Sequence, residues 1–411
     1  MRSINQGHGP TPPSSQVLSI MQSCALNEPL LPNLQTLMLW LAHDTQQLIS
    51  FIPLLLSART TTIDLIFFGS HLSKATIASA IATFSTFPTL CPNLRDISLV
   101  GLERDPMITA AVSELALKTN HNTLRSFCVD SPLTDEARKS ICKHPDLHKL
   151  RTVIDRPSSI PTIILPNLTD IYITYDDGHD WLHGFRGASL GKLTTVTIFS
   201  RSSSVDGILG AFECVALTTS IPKTLSAFRV HALHPWKPSY RSLLPFTQLN
   251  HLVIDSPCKI TCSSTIDDDT ITDLAQAMPK LEVLGLGGEP CSTRAGVTAK
   301  GLVALAYYCP HLSDLTIHFQ VTSLDPGVAS VEKITTPREG CALHTLHAGW
   351  IPVPEGSALM VALTLLHIFP RLKNLYYSDM GWEEVSDALG RSKNLARCLG
   401  EKHLFVVSQF Y

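Results

Sequence analysis

The chain has 411 residues, 44 % of them hydrophobic and only 16 % charged, with a formal net charge of −3. That much apolar side chain excludes a disordered polypeptide, because burial offsets chain entropy. The balance of 32 basic against 35 acidic residues leaves no electrostatic footprint for nucleic acid or an anionic membrane.

At the N-terminus, Met1-Arg2-Ser3-Ile4-Asn5-Gln6 is followed by Gly, Pro and Ser, with neither the apolar core nor the cleavage pattern of a secretory signal. The longest uncharged apolar stretch, Ser357 to Pro370, is about 14 residues, against ~20 for a membrane span. Eleven cysteines, an odd number at scattered spacing, do not form a disulfide framework. The expected compartment is therefore the cytoplasm or the nucleus.

From residue 30 onward one phrase recurs, Leu-x-x-apolar-x-apolar, often with Pro two residues before the first leucine. It reads LPNLQTLML at Leu34, CPNLRDISL at Leu94, NTLRSFCV at Leu124, HPDLHKL at Leu147, LPNLTDIYI at Leu168 and LGKLTTVTI at Leu193. It continues as KTLSAFRV at Leu225, TQLNHLVI at Leu249, MPKLEVLGL at Leu281, CPHLSDLTI at Leu312, ALHTLHA at Leu343 and FPRLKNLYY at Leu372. A degenerate copy, Thr60 to Leu65, fills the double-length gap between Leu34 and Leu94. The 338 residues from Leu34 to Leu372 span 12 intervals, about 28 each. That period and phrase are those of leucine-rich repeats. Alternating apolar residues form a short strand with one buried face, and no unit buries that face without its neighbours.

Segments with helical spacing lie between the phrases: Ser73–Phe84, Met107–Lys118, Asp269–Met278, Thr298–Tyr308 and Leu359–Ile368. Ser73, Asp105, Thr134 and the Asp267–Asp269 run stand where helices begin, and oxygen-bearing side chains cap free N–H groups there. The fold class is α/β: a leucine-rich-repeat solenoid, or horseshoe, of about 13 repeats. Its parallel sheet lies on the concave face and its helices on the convex face. Residues 1–29 read as an N-terminal tail and cap, 30–395 as the solenoid and 396–411 as a C-terminal cap or truncated repeat.

The segment from Gly296 to Ile317, with its GLVALAYYCPHLSDLTI core, resembles the cysteine-containing repeat of F-box/leucine-rich-repeat proteins. LLPNLQTLMLW and LPNLTDIYITY are similar to proteins of that type from basidiomycete fungi. The resemblance implies non-catalytic substrate recognition for a cullin-based ubiquitin ligase. It also implies an F-box of about 50 residues that binds the Skp1 adaptor. No such helical start is visible in Met1–Glu28, so adaptor and cullin are implied as partners only with an F-box upstream. The alternatives are a fragment that lacks its F-box and a scaffold with no ubiquitin link.

Motifs for chemistry dissolve on inspection. Gly187-Ala188-Ser189-Leu190-Gly191 matches G-x-S-x-G, but a nucleophile elbow needs its strand before the serine, whereas the strand phrase here follows it. Cys258-x-x-x-Cys262 and His344-x-x-His347 each lack the second ligand pair of a zinc site. Cys91 and Cys309 occupy an apolar slot, three residues before the anchor leucine, that Leu31, Leu165, Leu190, Phe246, Met278 and Phe369 fill elsewhere; cysteine packs there as a small hydrophobe. No catalytic group, cofactor or metal ligand is assigned, and the chain is expected to be a monomer.

Recognition is expected at positions +2, +4 and +6 from each anchor, which face away from the buried side because the strand period is two. They include Asp170, Tyr172, Arg229, His231, His251, Asp255, Asp314, His318, His347, Asn374 and Tyr376. The tryptophans Trp40, Trp181, Trp236, Trp350 and Trp382 fall 6 to 13 residues after an anchor. That places them on one rim, with the long inserts Asp176–Ser189, Ala232–Pro245 and Gln320–Gly340, and tryptophan is enriched at binding hot spots. The candidate partner is a protein of unknown identity.

Overall fold

The computed structural model describes residues 3–5, 28–41, 46–68, 72–102, 104–120, 122–154, 165–175, 190–201, 224–232, 240–255, 266–287, 296–321, 340–348, 353–377 and 381–399. The chain divides into two compact units, Met1–Thr224 and Leu225–Tyr411.

In the first unit eight strands pair in chain order and always in parallel. They are β1 (Ser3–Asn5), β2 (Thr36–Leu41), β3 (Thr62–Phe67), β4 (Asp96–Val100), β5 (Ser126–Pro132), β6 (Lys149–Ile154), β7 (Asp170–Tyr175) and β8 (Thr195–Ser200). Helices α1 (Gln46–Leu55), α2 (Lys74–Leu90), α3 (Pro106–Lys118) and α4 (Asp135–Ile141) alternate with β2 to β6 and pack each against the next.

The second unit repeats the plan with β9 (Ala227–Ala232), β10 (His251–Asp255), β11 (Val283–Leu286), β12 (Asp314–Ile317), β13 (Thr345–His347) and β14 (Asn374–Tyr376), again all parallel. Its helices are α5 (Asp268–Ala277), α6 (Ala299–Tyr308), α7 (Ala358–Ile368) and α8 (Gly381–Leu399). Each unit is a leucine-rich-repeat α/β solenoid with an open parallel sheet. Thirteen strands follow the thirteen expected phrases; β1, which carries no phrase, pairs its Ser3–Asn5 with Thr36–Met38.

The buried side is built as the alternation demands. In β2, β3, β4, β8, β10 and β12 half-buried and buried residues alternate strictly. In the second unit, Phe228, Leu252, Leu284, Leu315 and Leu346 align across adjacent strands, all 0 % exposed. The anchors form a second buried set within each unit, Leu34, Leu124, Leu147 and Leu168 in the first and Leu225, Leu249, Leu281, Leu312 and Leu343 in the second.

One backbone motif joins every pair of successive repeats inside each unit. The carbonyl one residue after an anchor accepts two N–H groups from the next repeat, as Gln35 does from Thr61 and Thr62, and Glu282 from Ser313 and Asp314. Each strand is thereby registered before its ladder begins. One residue before the anchor, polar side chains add a second stitch: Arg59 Nη1 donates to Asn33 Oδ1 (2.6 Å), Lys192 Nζ to Asn167 Oδ1 (2.7 Å) and Lys280 Nζ to Gln248 Oε1 (2.6 Å).

The degenerate repeat is held by a substitution of chemistry rather than shape. Thr60, in the anchor position, is 0 % exposed, and a buried hydroxyl without a partner is costly. Its Oγ1 donates to the Leu34 carbonyl at 3.0 Å and accepts from Ser57 N at 3.2 Å.

Helix starts fall at the expected caps. Ser73 accepts from Thr76 N, Asp105 from Met107 N and Ile108 N, Thr134 from Ala137 N and Asp267 from Thr270 N. Helix α2 runs past the expected end at Phe84, through Pro88 to Leu90. Phe84 and Phe87 are both 0 % exposed with ring centroids 5.7 Å apart, so packing keeps the last turn helical despite the proline. The apolar Ser357–Pro370 stretch is the short helix α7 and its flanks. Among the described residues no helix is long and apolar enough to cross a membrane.

Candidate protein-recognition surface

Alternation leaves one sheet face lined by the +2, +4 and +6 side chains. Parallel strands put like positions ~4.8 Å apart across the sheet and successive positions ~6.6 Å apart along a strand, so each column touches its neighbours.

In the first unit, Tyr172 of β7 receives the guanidinium of Arg151 over its ring, 4.1 Å from the centroid. Arg151 also binds Asp130 through two bonds, Nε to Oδ1 at 2.5 Å and Nη2 to Oδ2 at 2.9 Å. Asp130 Oδ2 accepts in addition from Gly101 N at 3.0 Å. Gly101 has φ +79°, and a Cβ there would lie 2.0 Å from the Phe67 carbonyl oxygen. Asp170 lies beside Lys149 in the ladder and accepts from Thr169 Oγ1 at 2.7 Å. Arg151 and Asp130 were not among the expected surface residues, although they stand at +4 from Leu147 and +6 from Leu124. The HPDLHKL phrase stops at Leu150, one residue short of the arginine.

In the second unit, Arg229 of β9 is exposed. His231 Nδ1 meets Asp255 Oδ2 of the next strand at 3.4 Å. His251 Nδ1 lies 2.9 Å from Asn250 Oδ1, and Asp314 accepts from Ser313 Oγ at 2.6 Å. The strand between these groups, β11, presents Val283 and then Gly285, with Gly287 just beyond it. The His318 ring takes the space above Gly287: a Cβ there, at φ +118°, would lie 2.7 Å from His318 Cδ2. His347 and Tyr376, paired in the ladder, stack with centroids 4.6 Å apart and planes 15° apart; Tyr376 is 54 % exposed.

The tryptophan rim needs correction at Trp382. Instead of standing at a rim it is 0 % exposed in the first turn of α8, edge-on to the buried Phe319 with centroids 6.0 Å apart. Helix α8 carries it inward, and this tryptophan belongs to the core. Trp40, at the end of β2, is half-buried and lies 5.4 Å from the ring of Phe68. Trp181, Trp236 and Trp350 lie outside the described residues, as do most of the long inserts.

Ser189, Cys258 and Cys262 also lie outside the described residues; Leu190 is buried and leads into β8 as expected. Among the described residues no group of three or more His, Cys, Asp or Glu is placed to hold a metal ion.

Cys91 and Cys309 are packed in the turn, 1 % and 0 % exposed. The Cys309 thiol lies 3.6 Å from the Met278 carbonyl, and that of Cys341 lies 3.5 Å from the Cys309 carbonyl. Burial pushes Cys91 and Cys341 up to about 11, and burial with the neighbouring Cys341 pushes Cys309 up to about 12. Above an ordinary thiol value of about 9 the unfolded chain releases protons that the folded chain retains. The contribution to stability is therefore complete below pH 9 and falls by roughly 1.4 kcal/mol per pH unit per thiol between the two values. Chemical denaturation at pH 8 and pH 10.5 is expected to show lower stability at pH 10.5. Serine at 91, 309 and 341 together is expected to flatten that part of the pH dependence. Native alkylation with iodoacetamide at pH 8 should leave all three unlabelled by mass spectrometry.

No family model matches this chain, and no curated protein matches it either.

Proposed function

We propose that this protein is a non-catalytic recognition module that binds a protein partner on the open face of its sheet. The observation that carries this reading is the set of half-buried and exposed aromatic, imidazole and charged side chains at ladder spacing, among them the His347–Tyr376 stack, in which Tyr376 is 54 % exposed. Stiff ring systems and fixed ion pairs lose little entropy when covered, and they offer both apolar area and hydrogen bonds. The described groups provide donors, acceptors and rings.

We further propose that the partner is a substrate for ubiquitin-dependent turnover. This finer reading draws on the resemblance of Gly296–Ile317 to an F-box/leucine-rich-repeat unit; in the fold that segment supplies α6, the buried Cys309 turn and β12.

Affinity purification of the tagged chain from the cells that express it, followed by mass spectrometry, tests both. Proteins retained by the wild type are expected to fall at least tenfold with the His347→Ala/Tyr376→Ala pair. They are expected to persist with Tyr307→Ala on helix α6, a ring that is also exposed (44 %). The opposite pattern overturns the sheet-face reading. Recovery of a cullin and its adaptor supports the ligase reading; partners retained without either favour an interaction scaffold.

A further inference from the structure

The open face of the first unit is chemically lopsided. Over β2 to β5 its positions carry Thr36, Met38 and Trp40, then Thr62, Asp64 and Ile66, then Asp96, Ser98 and Val100, then Ser126, Cys128 and Asp130. Three are aspartates and none is lysine or arginine. Asp130 is neutralised by Arg151 from β6, and Lys149 of β6 has Asp170 beside it, which leaves Asp64 and Asp96 with no cation among the described strand residues of this face. Of the arginines nearest in sequence, Arg59 binds Asn33 and Arg95 stands one residue before its strand, both exposed, and the half-buried Arg104 lies four residues beyond β4.

The two carboxylates differ. Asp96 accepts from Thr62 Oγ1 at 3.2 Å. Asp64 Oδ1 is buried and has no hydrogen-bond partner among the described residues. A buried carboxylate oxygen without a donor is an expensive feature for a fold to keep, and because the Asp64 side chain as a whole is only half-buried, a lysine or arginine seated against it from outside would neutralise its charge. On one side of it the surface is apolar: Met38 is its ladder neighbour in β2, and Trp40 and Ile66 occupy the next positions along β2 and β3, while Ser98 is its neighbour in β4. Phe68, 44 % exposed, packs on Trp40. A cation above Asp64 would therefore also lie near the indole, where ring and charge attract.

We infer that this acidic and aromatic patch receives an extended protein segment that carries an arginine or lysine beside an apolar residue. Its cation pairs with Asp64 and Asp96, and its apolar side chain rests on Met38, Trp40 and Ile66. The inference rests on the reading of the open face as a recognition surface, and it names the partner's chemistry. A nonpolar partner would leave both carboxylates uncompensated; an acidic one would be repelled.

The test selects a random dodecapeptide phage library on the full chain. The most enriched peptide is then synthesised with a fluorophore, in its native form and with each arginine replaced by citrulline or each lysine by norleucine. Anisotropy titrations compare wild type, Asp64→Asn/Asp96→Asn and His347→Ala/Tyr376→Ala. The expected result is a selected motif with a basic residue next to an aliphatic or aromatic one. Binding weakens tenfold or more in the Asn pair, no further loss follows when the charge-neutral peptide meets that pair, and His347→Ala/Tyr376→Ala binds as wild type. Asp64→Asn alone should melt no lower than wild type, because the carboxylate serves a partner and not the fold. Motifs without basic residues, no enrichment at all, full affinity in the Asn pair, or a drop of several degrees in the Tm of Asp64→Asn would each overturn the inference. Natural partners that are lost with His347→Ala/Tyr376→Ala but held fully by Asp64→Asn/Asp96→Asn would sink this inference and leave the proposed function standing.

Discussion

Leu315→Asp is expected to abolish the cooperative melting of the second unit. Leu315 is 0 % exposed and sits in the ladder between Leu284 and Leu346, themselves 0 % exposed. Truncation of such a leucine to alanine costs about 2–5 kcal/mol. A carboxylate adds the desolvation of an unpaired charge, and the total approaches the ~5–15 kcal/mol that holds a whole domain together. Repeat units are stable only through their neighbours, so the loss of one layer removes the interfaces on both sides. Leu284→Asp should act alike. The control is one residue away: Thr316 is half-buried on the open face, and Thr316→Asp is expected to shift Tm by no more than a few degrees. Circular dichroism melts of the three variants and the wild type decide the matter. A Leu315→Asp protein that melts like the parent would refute the register of the sheet.

That contrast between neighbouring residues explains why so much of the fold is legible in the amino-acid sequence. Burial on one face and solvent on the other impose a period of two, and a one-residue slip would exchange Leu315 for Thr316. The same constraint made Cys91 and Cys309 readable as packing residues, because their slot is occupied elsewhere by leucine, methionine and phenylalanine. The strand β1 could not be found in this way. Its three residues, Ser3-Ile4-Asn5, pair through backbone groups, and backbone pairing leaves no trace in side-chain pattern.

The surface was legible by position and much less by partnership. Counting from the anchors places His347 and Tyr376 on one face, and the ladder makes them neighbours, but whether they stack depends on rotamers that no spacing encodes. Arg151 was obscured for another reason. Its chemistry is completed by Asp130 from the preceding repeat and Tyr172 from the following one, so a reading of one phrase at a time divides the group among three. Trp382 misled because distance from an anchor says nothing of how a following helix is rotated; α8 turns that ring toward Phe319.

Asp268 stands at a helix start as its place in the acidic run suggests, and it does more than the local explanation of such a run requires. Asp267 does cap α5, but Asp268 reaches across to the next repeat. Its Oδ1 accepts from Thr298 N at 2.7 Å and Gly301 N at 3.0 Å, and its Oδ2 accepts from Thr298 Oγ1 at 2.6 Å. The carboxylate is thus a second cap for α6, placed where the helix dipole favours negative charge. It also accounts for Gly301: a Cβ there would lie 2.7 Å from Asp268 Oδ1 and 2.9 Å from Val297 Cγ1. Asp268→Ala removes three charge-assisted hydrogen bonds and is expected to destabilise the second unit by about 2–4 kcal/mol. Gly301→Ala is also expected to destabilise, despite the ~1 kcal/mol that alanine contributes inside a helix. The two should not add. Once the carboxylate is gone, part of the steric cost at 301 goes with it, so Gly301→Ala in the Asp268→Ala background is expected to cost less than in the wild type. Urea denaturation of the two single variants and the double variant measures that coupling. Strict additivity would mean that Asp268 does not hold the start of α6.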